Sequence, residues 1–397
     1  MQMPDDPASL FVRDDAHLRD VCDRLRAAGS VAFDTEFIRE RSYRPRICLV
    51  QVAGADLVAL IDPFRVDLTP FWDLVLDESI EAVVHAGGQD LEICNLMTGR
   101  VPANVFDVQV AAGLVGLPYP LSYEKLVKQV AGVRIGKAET FSDWSQRPLT
   151  PGQLRYAVAD VLYLPSVRER LGRGLDERGR MAWMREEMQR LEAEELYLRS
   201  AREAWLRVRR LGGLSRRQLA VIRELAEWRE AAAEQADVPT RTLLRDEVLV
   251  GLARRMPAGV RDLHAIRGLP HPLVDRAGRD MLAAIRRGRE SPEPGWPDAA
   301  DTREGGPAER MLADLAAVAG QGLCLAGEVA PGLLAARADY EEVAEWVAQG
   351  GKEAESAPRL LRGWRGEFAG RTIEAVLAGR AALRLTGPPD APRLDVE

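Results

Sequence analysis

The stretch VAFDTEF, residues 31–37, sets the reading of this chain. The apolar run Val31-Ala32-Phe33 enters Asp34-Thr35-Glu36. Side chains alternate across a strand, so Asp34 and Glu36 share one face. Two acids crowded together repel one another and are tolerated where a cation neutralises them. Further along, Asp90 in VVHAGGQDLE follows an apolar strand-like stretch and a Gly87-Gly88 turn, near the start of a helical pattern. Tyr156 and Asp160, in YAVADVLYLP, stand four apart in a helix-forming segment and therefore on one helical face. Three elements can thus aim carboxylates at one point, which predicts a divalent-metal site.

Outward from this core, the first half alternates strand-like and helix-like segments. Strand candidates are 31–37, 47–53, 57–61 and 81–86, with Arg44-Pro45-Arg46 and Gly54-Ala55-Asp56 reading as hairpin turns. Helix candidates are 15–28, 69–76, 89–98, 107–116, 122–131, 151–158 running on through Asp160, and a long charged helix near 175–208. The pattern predicts an α/β domain with a mixed sheet over residues 1–205. Beyond about residue 210 the strand signals fade, and 215–235, 240–256, 259–267 and 271–288 read as helices of an all-α domain spanning 210–290. Pro, Gly and acids mark 291–307 as a linker. A second helical domain is expected over 308–385, and a disordered tail over 386–397.

A length of 397 residues fits two or three domains. The apolar runs are too short and interrupted to span a bilayer, and MQMPDDPASL lacks the basic-then-apolar pattern of a secretory signal, so a cytoplasmic location is expected. The four cysteines and four histidines are dispersed without a C-x-x-C pair, which argues against zinc and disulfides. Oxygen ligands are plentiful, and they favour Mg²⁺ or Mn²⁺. The net charge of -7 conceals an uneven distribution. Residues 201–290 hold 19 Arg and no Lys against 12 acids, an arginine excess suited to phosphate. The same arginines can equally form solvated helix faces. Gly132 to Ala138 superficially resembles a phosphate loop but is one residue short between its glycines and has Ala138 where Ser or Thr is needed, so no nucleotide cofactor is expected.

Metal-assisted phosphodiester hydrolysis acidifies a water and stabilises charge on the leaving oxygen, and two divalent cations do both. Asp34, Glu36, Asp90 and Asp160 supply the anionic cage such chemistry needs. Tyr156 has too high an ordinary pKa to serve as an unaided base at neutral pH, so orienting the nucleophile is its expected role. His85 can contact a substrate phosphate or O3′, or end its strand bonded to backbone. Phe37 can stack on a terminal base or pack in the core. Lys137 and Arg147 can bind a trailing RNA backbone or form surface ion pairs. Trp205 and Trp228 fall in helical segments and read as core.

DTEF, HAGGQDLE and RPLTPGQLRYAVADVLYLP resemble the three exonuclease motifs of the DEDD superfamily in its tyrosine-bearing (DEDDy) branch, and within it the ribonuclease D family. The likeness covers about residues 10–170 and takes in ERSYRPRICLVQVA, LIDPF, FDVQVAAGLVG, LSYEKLVKQVAGV and KAETFSDWSQRPLT. It implies a ribonuclease H-like exonuclease fold, two divalent cations, and release of nucleoside 5′-monophosphates from RNA 3′ ends, with precursor tRNA as substrate. It also implies metal-ligating roles for Asp34, Glu36, Asp90 and Asp160, with Tyr156 beside them. The segment from Ser215 to Pro270 resembles an HRDC domain, a helical nucleic-acid-binding module, and 308–385 resembles a second, divergent one. The same acidic cage serves exodeoxyribonucleases, and a binding adaptor with a vestigial nuclease half is a further alternative.

Overall fold

The computed structural model describes residues 3, 6–136, 142–197, 200–293, 296–297, 306–351, 357–388 and 393–397. Five strands, β1 (Ser30–Ile38), β2 (Arg46–Ala53), β3 (Val58–Ile61), β4 (Glu81–Val84) and β5 (Val105–Asp107), form one sheet in the order β3-β2-β1-β4-β5. β1 runs parallel to β4 and β4 parallel to β5, while β2 and β3 pair antiparallel, so the sheet is mixed as expected. Val31 lies opposite Ala82 and Ala32 opposite Val83, which brings the C-terminal ends of β1 and β4 together. Open α/β sheets bind ligands off those carboxyl ends. Asp34 and Glu36 sit there, and so does the turn after Val84.

Buried Val31, Ala32, Phe33, Val83 and Val84 explain why these strands are continuous apolar runs: helices cover them. Those helices are α1 (Asp15–Ala28), α2 (Thr69–Val75), α3 (Gly88–Thr98), α4 (Val108–Leu114), α5 (Tyr123–Ala131), α6 (Pro151–Leu162), α7 (Leu164–Glu177) and α8 (Met181–Leu191). The single long helix expected near 175–208 does not form. The chain breaks at Gly179, whose φ of 63° no helix accommodates, and after α8 it continues in short 3-10 turns.

The chain divides into two compact units, one of Met1–Glu36, Ile47–Leu196 and Gly305–Glu397, the other of Phe37–Arg46 and Tyr197–Glu304. The second unit contains α9 (Arg216–Gln235), α10 (Thr240–Leu243), α11 (Asp246–Arg255), α12 (Val260–His264) and α13 (His271–Glu290). Leu219, Ile222, Leu225, Leu249, Leu263 and Met281 build its core, with Trp205 and Trp228 packed against it as expected. It is larger than the expected 210–290 because it takes in the β1–β2 connector and also begins at Tyr197 and ends at Glu304. The Tyr43 hydroxyl donates to Glu230 Oε2 at 2.8 Å, its backbone N–H donates to Asp237 Oδ1 at 3.1 Å, and Arg44 meets Glu234 at 2.8 Å. Of the linker expected at 291–307, residues 294–295 and 298–305 lie outside the described ones.

The region after the linker is helical, with α14 (Pro307–Gly327), α15 (Pro331–Leu334) and α16 (Arg337–Ala348), but it does not stand as a separate domain. It belongs to the unit of the sheet, where the Ala330 N–H donates to Gly113 O at 2.9 Å and Trp364 Nε1 donates to Glu187 Oε1 at 2.7 Å. The tail expected to be disordered from 386 instead forms a hairpin of β6 (Leu383–Thr386) and β7 (Arg393–Val396), with Leu385 opposite Leu394. Residues 389–392, between its strands, lie outside the described ones. Among the described residues, no helix is long and apolar enough to cross a membrane.

Candidate active site

Asp34 and Glu36 on β1 and Asp160 on α6 each place one carboxylate oxygen within 4.8 Å of the others. α6 is started by a capping box. Thr150 Oγ1 accepts from the Gln153 N–H at 3.2 Å, Gln153 Oε1 accepts from the Thr150 N–H at 2.9 Å, and Pro151 occupies the first turn. One turn further in, Tyr156 and Asp160 follow at helical spacing, and the Tyr156 ring lies 6.0 Å from that of Trp144. Asp160 Oδ2 is buried and has no hydrogen-bond partner.

Asp90 is in the first turn of α3 and only 6% exposed. It stands outside the tight group of three. The Thr35 hydroxyl donates to its Oδ1 at 2.5 Å, and its charge helps to raise the pKa values of Asp34 and Glu36. The turn that presents it is tightly specified. Asp107 Oδ1 accepts from the Ala86 N–H at 3.0 Å and from the Gln109 N–H at 2.8 Å, while its Oδ2 accepts from the Gly87 N–H at 3.1 Å. A Cβ at Gly87 would lie 2.4 Å from Val84 Cγ2, so glycine alone fits there.

The group's electrostatics are those of acids without a counter-charge. Burial, then the charges of Asp90, Asp160 and Glu36, hold the Asp34 pKa well above the ordinary carboxyl range. Burial and the charges of Asp160 and Asp90 push Glu36 up to about 8. Burial likewise takes Asp90 to about 6, against the Thr35 hydrogen bond, and Asp160 to about 7, against the neighbouring Tyr156 hydroxyl. The Tyr156 phenol is itself pushed above its ordinary value by burial and by Asp160, Glu36 and Asp34. An all-oxygen donor set, mutually raised pKa values and the orphaned Asp160 Oδ2 all fit a divalent cation.

Those of the remaining sequence candidates that are described have other partners. His85 Nε2 lies 2.9 Å from Leu121 O, and its ring centroid lies 5.3 Å from that of Tyr123, so it takes the backbone-bonded alternative. Arg147 is not free for a trailing RNA backbone, because all five of its N–H donors are used internally. Two bonds go to buried Asp62 at 2.7 and 3.0 Å, and three go to the carbonyls of Trp144, Gln146 and Cys48. Burial alone would raise the Asp62 pKa, but the Arg147 bonds pull it below the ordinary range. Phe37 is half-buried with the Arg39 guanidinium 4.8 Å over its ring. Lys137 lies outside the described residues. Three residues escaped the reading of the sequence: Thr35, Asp107 and Tyr123. The Tyr123 hydroxyl is buried without a hydrogen-bond partner, and burial with the charges of Asp160 and Asp34 raises its pKa. Its one sequence signal is its place in LSYEKLV.

A family described as 3′-5′ exonuclease matches residues 10–176, and the HRDC domain family matches 218–285. The chain is 37% identical over 389 residues to a ribonuclease D of Acidiphilium cryptum, covering 97% of each. It is 36% identical over 389 residues to that of Granulibacter bethesdensis, covering 96% of this chain and 95% of the relative. Among solved structures, Escherichia coli RNase D, described as an exoribonuclease involved in structured RNA processing, superposes with a TM-score of 0.81 at 29% identity, over 93% of this chain and 98% of that one.

Proposed function

This chain belongs to the ribonuclease D family, and from that membership we propose how its own residues carry out the family's reaction. It is a 3′-to-5′ exoribonuclease, with an exonuclease domain of the ribonuclease H-like kind and an HRDC domain. The reading of its mechanism is carried by one observation, the convergence of Asp34, Glu36 and Asp160 from two elements to within 4.8 Å. Asp34, Glu36, Asp90 and Asp160 would hold two divalent cations, Mg²⁺ or Mn²⁺. Bound there, the cations supply an acidified water and neutralise charge at the leaving oxygen.

The protein's own contributions follow from position. Thr35 fixes Asp90 against β1, and the Asp107-pinned turn sets the start of α3. Tyr156 keeps its proton at neutral pH, so it donates a hydrogen bond and does not act as a base. Its place beside Asp160, one helical turn away, suits it to orient the nucleophile. The products are nucleoside 5′-monophosphates, and the substrates are structured RNAs with 3′ extensions, tRNA precursors among them. A cytoplasmic site of action accompanies that substrate.

Digestion of an end-labelled precursor tRNA, with and without EDTA, tests the whole reading. Shortening from the 3′ end to mononucleotides, abolished by EDTA and restored by Mg²⁺ or Mn²⁺, is expected. Undiminished digestion in excess EDTA would overturn it. Tyr156→Phe should lower turnover far more than RNA affinity. Unchanged turnover removes Tyr156 from the reaction.

A further inference from the structure

Two of the histidines that the sequence disperses meet in the helical unit. His264 is the last residue of α12 and His271 the first of α13, and their Nδ1 atoms lie 3.0 Å apart. The rings stack, with centroids 4.8 Å apart and planes inclined by 27°. At the other nitrogen of His264, Nε2, stands Asp275 Oδ1 at 3.9 Å. Asp275 follows His271 by one turn of α13. Nothing in the exonuclease chemistry accounts for this group.

The connection that presents the pair is tightly held. The Arg255 guanidinium donates to Ala265 O at 3.1 Å, the Leu269 N–H to Ile266 O at 3.2 Å, and the Leu273 N–H to Pro270 O at 3.0 Å. Gly268 reverses the chain at φ +84°, where a Cβ would also press on Val248 Cγ2 at 3.3 Å. Buried Leu263, Ile266, Leu269 and Leu273 fasten both ends to the core of the unit. The imidazoles themselves remain accessible: the His264 side chain is 33% exposed, and His271 is exposed. The fold thus assembles two ligands in advance, which lowers the cost of binding.

We propose that His264 and His271 form a site for a late first-row divalent cation of tetragonal preference, Cu²⁺ or Ni²⁺, with the two Nδ1 atoms as neighbouring ligands and water in the remaining positions. The spacing carries the choice. Imidazole nitrogen binds such ions at about 2.0–2.1 Å, so nitrogens 3.0 Å apart subtend about 95° at a shared ion. That angle suits a square-planar or tetragonal centre, whereas a tetrahedral ion needs the nitrogens about 3.3 Å apart. The Asp275 charge favours the proton of His264 on Nε2, which leaves the Nδ1 lone pair for the ion. Without an ion, one Nδ1 must hold a proton to bond to the other. The ion takes that proton's place, and His271 stays neutral by holding its proton on Nε2. Bound there, the ion ties the end of α12 to the start of α13 and stabilises the folded unit by mass action.

The test uses the full chain with Mg²⁺ in excess to compete for the carboxylates. One equivalent of Cu²⁺, followed by electron paramagnetic resonance, should show splitting from two nitrogens, which an all-oxygen site cannot give. His264→Gln and His271→Gln should each lose that splitting. His17→Gln should keep it, since His17 Nδ1 accepts instead from the Arg13 N–H. Asp275→Asn should keep the two-nitrogen pattern and bind about tenfold more weakly, the effect of removing a ligand's own partner. Ni²⁺ should raise the melting temperature of wild type but of neither glutamine variant. In EDTA both variants should melt with wild type, because the replaced side chains are exposed. A wild-type spectrum without two-nitrogen splitting, or the same splitting in both His264→Gln and His271→Gln, would overturn the proposal. So would equal affinity in wild type and these two variants, which marks an adventitious ion only.

Discussion

The Thr35 hydroxyl donates to Asp90 Oδ1 at 2.5 Å, tying α3 to the strand that carries Asp34 and Glu36. Thr35 sits between those two acids in sequence, so one dipeptide step separates the anchor of Asp90 from the carboxylates it must meet. Thr35→Val keeps the shape and removes the donor. Leaving a buried acceptor without its partner costs about 1–3 kcal/mol. The variant should melt earlier and turn over RNA more slowly, with Thr35→Ser restoring both. Full activity in Thr35→Val would mean that Asp90 is held by α3 alone.

The raised carboxyl pKa values give the metal-free protein a pH dependence opposite to that of a salt-bridged one. Asp90 near 6, Asp160 near 7 and Glu36 near 8 bind more protons folded than unfolded. Their contribution is fully present below the ordinary carboxyl range and is lost as pH rises through those values. In EDTA, the melting temperature should therefore fall between about pH 5 and pH 8. Cations must displace the same protons, so Mn²⁺ affinity should rise over that interval with proton release, measurable by calorimetry in buffers of different ionisation enthalpy. Affinity independent of pH would show that the four acids do not share a site.

Local periodicity is what made the carboxylate group readable. Asp34 and Glu36 are two apart on a strand and Tyr156 and Asp160 four apart on a helix, so each pair declares its face without tertiary information. The mixed character of the sheet and its first four strands were legible for the same reason, whereas the three-residue edge strand β5, Val105–Asp107, is too short to show a period and was not read. Thr35 and Asp107 were not, because their partners are 55 residues away in one case and backbone N–H groups of a distant turn in the other. The β1–β2 connector read as a hairpin turn, and nothing in Tyr43-Arg44 announces that Glu230 and Glu234, nearly 200 residues on, receive it. The sequence left Arg147 open between RNA backbone and a surface ion pair, because side-chain type alone does not reveal a buried Asp62 waiting for it.

The turn before α3 offers a sharper test of how finely Asp90 is placed. Gly87→Ala puts a methyl 2.4 Å from Val84 Cγ2, so the turn must shift and carry the helix start with it. Misplacement of a reacting group by about 1 Å can cost 10²-fold in rate, and a loss of about that size is expected with the fold retained. Trimming the obstacle should reverse it, so Gly87→Ala combined with Val84→Ala should recover most of the turnover. Asp107→Ala strips three backbone N–H groups of their acceptor and should reduce both stability and turnover. If the double variant at 84 and 87 stayed as slow as Gly87→Ala, steric displacement of α3 would not be the cause.

Glu187 on α8 holds the C-terminal helical region to the unit of the sheet. It accepts from Trp364 Nε1 at 2.7 Å and from both terminal nitrogens of Arg365, a side chain only 2% exposed. Arg365 also donates to the carbonyls of Leu333 and Leu334 at 2.8 and 2.9 Å, so removing the acid would strand a buried cation whose remaining bonds are all to neutral groups. Breaking a buried pair from one side costs about 3–5 kcal/mol, and Glu187→Gln should lower stability by that order. Burial would raise the Glu187 pKa, but Arg365 and Trp364 outweigh it and draw the value below the ordinary range. Its contribution is therefore present above the usual glutamate pKa and is lost as pH falls through the lowered one. The gap in melting temperature between wild type and Glu187→Gln should be widest near neutrality and close below about pH 4. A protease should release the region after residue 305 from the variant first, which separates lost docking from general destabilisation. A gap that stayed constant to pH 3 or so would place the effect in packing, since a protonated Glu187 can no longer pair with Arg365 as an ion.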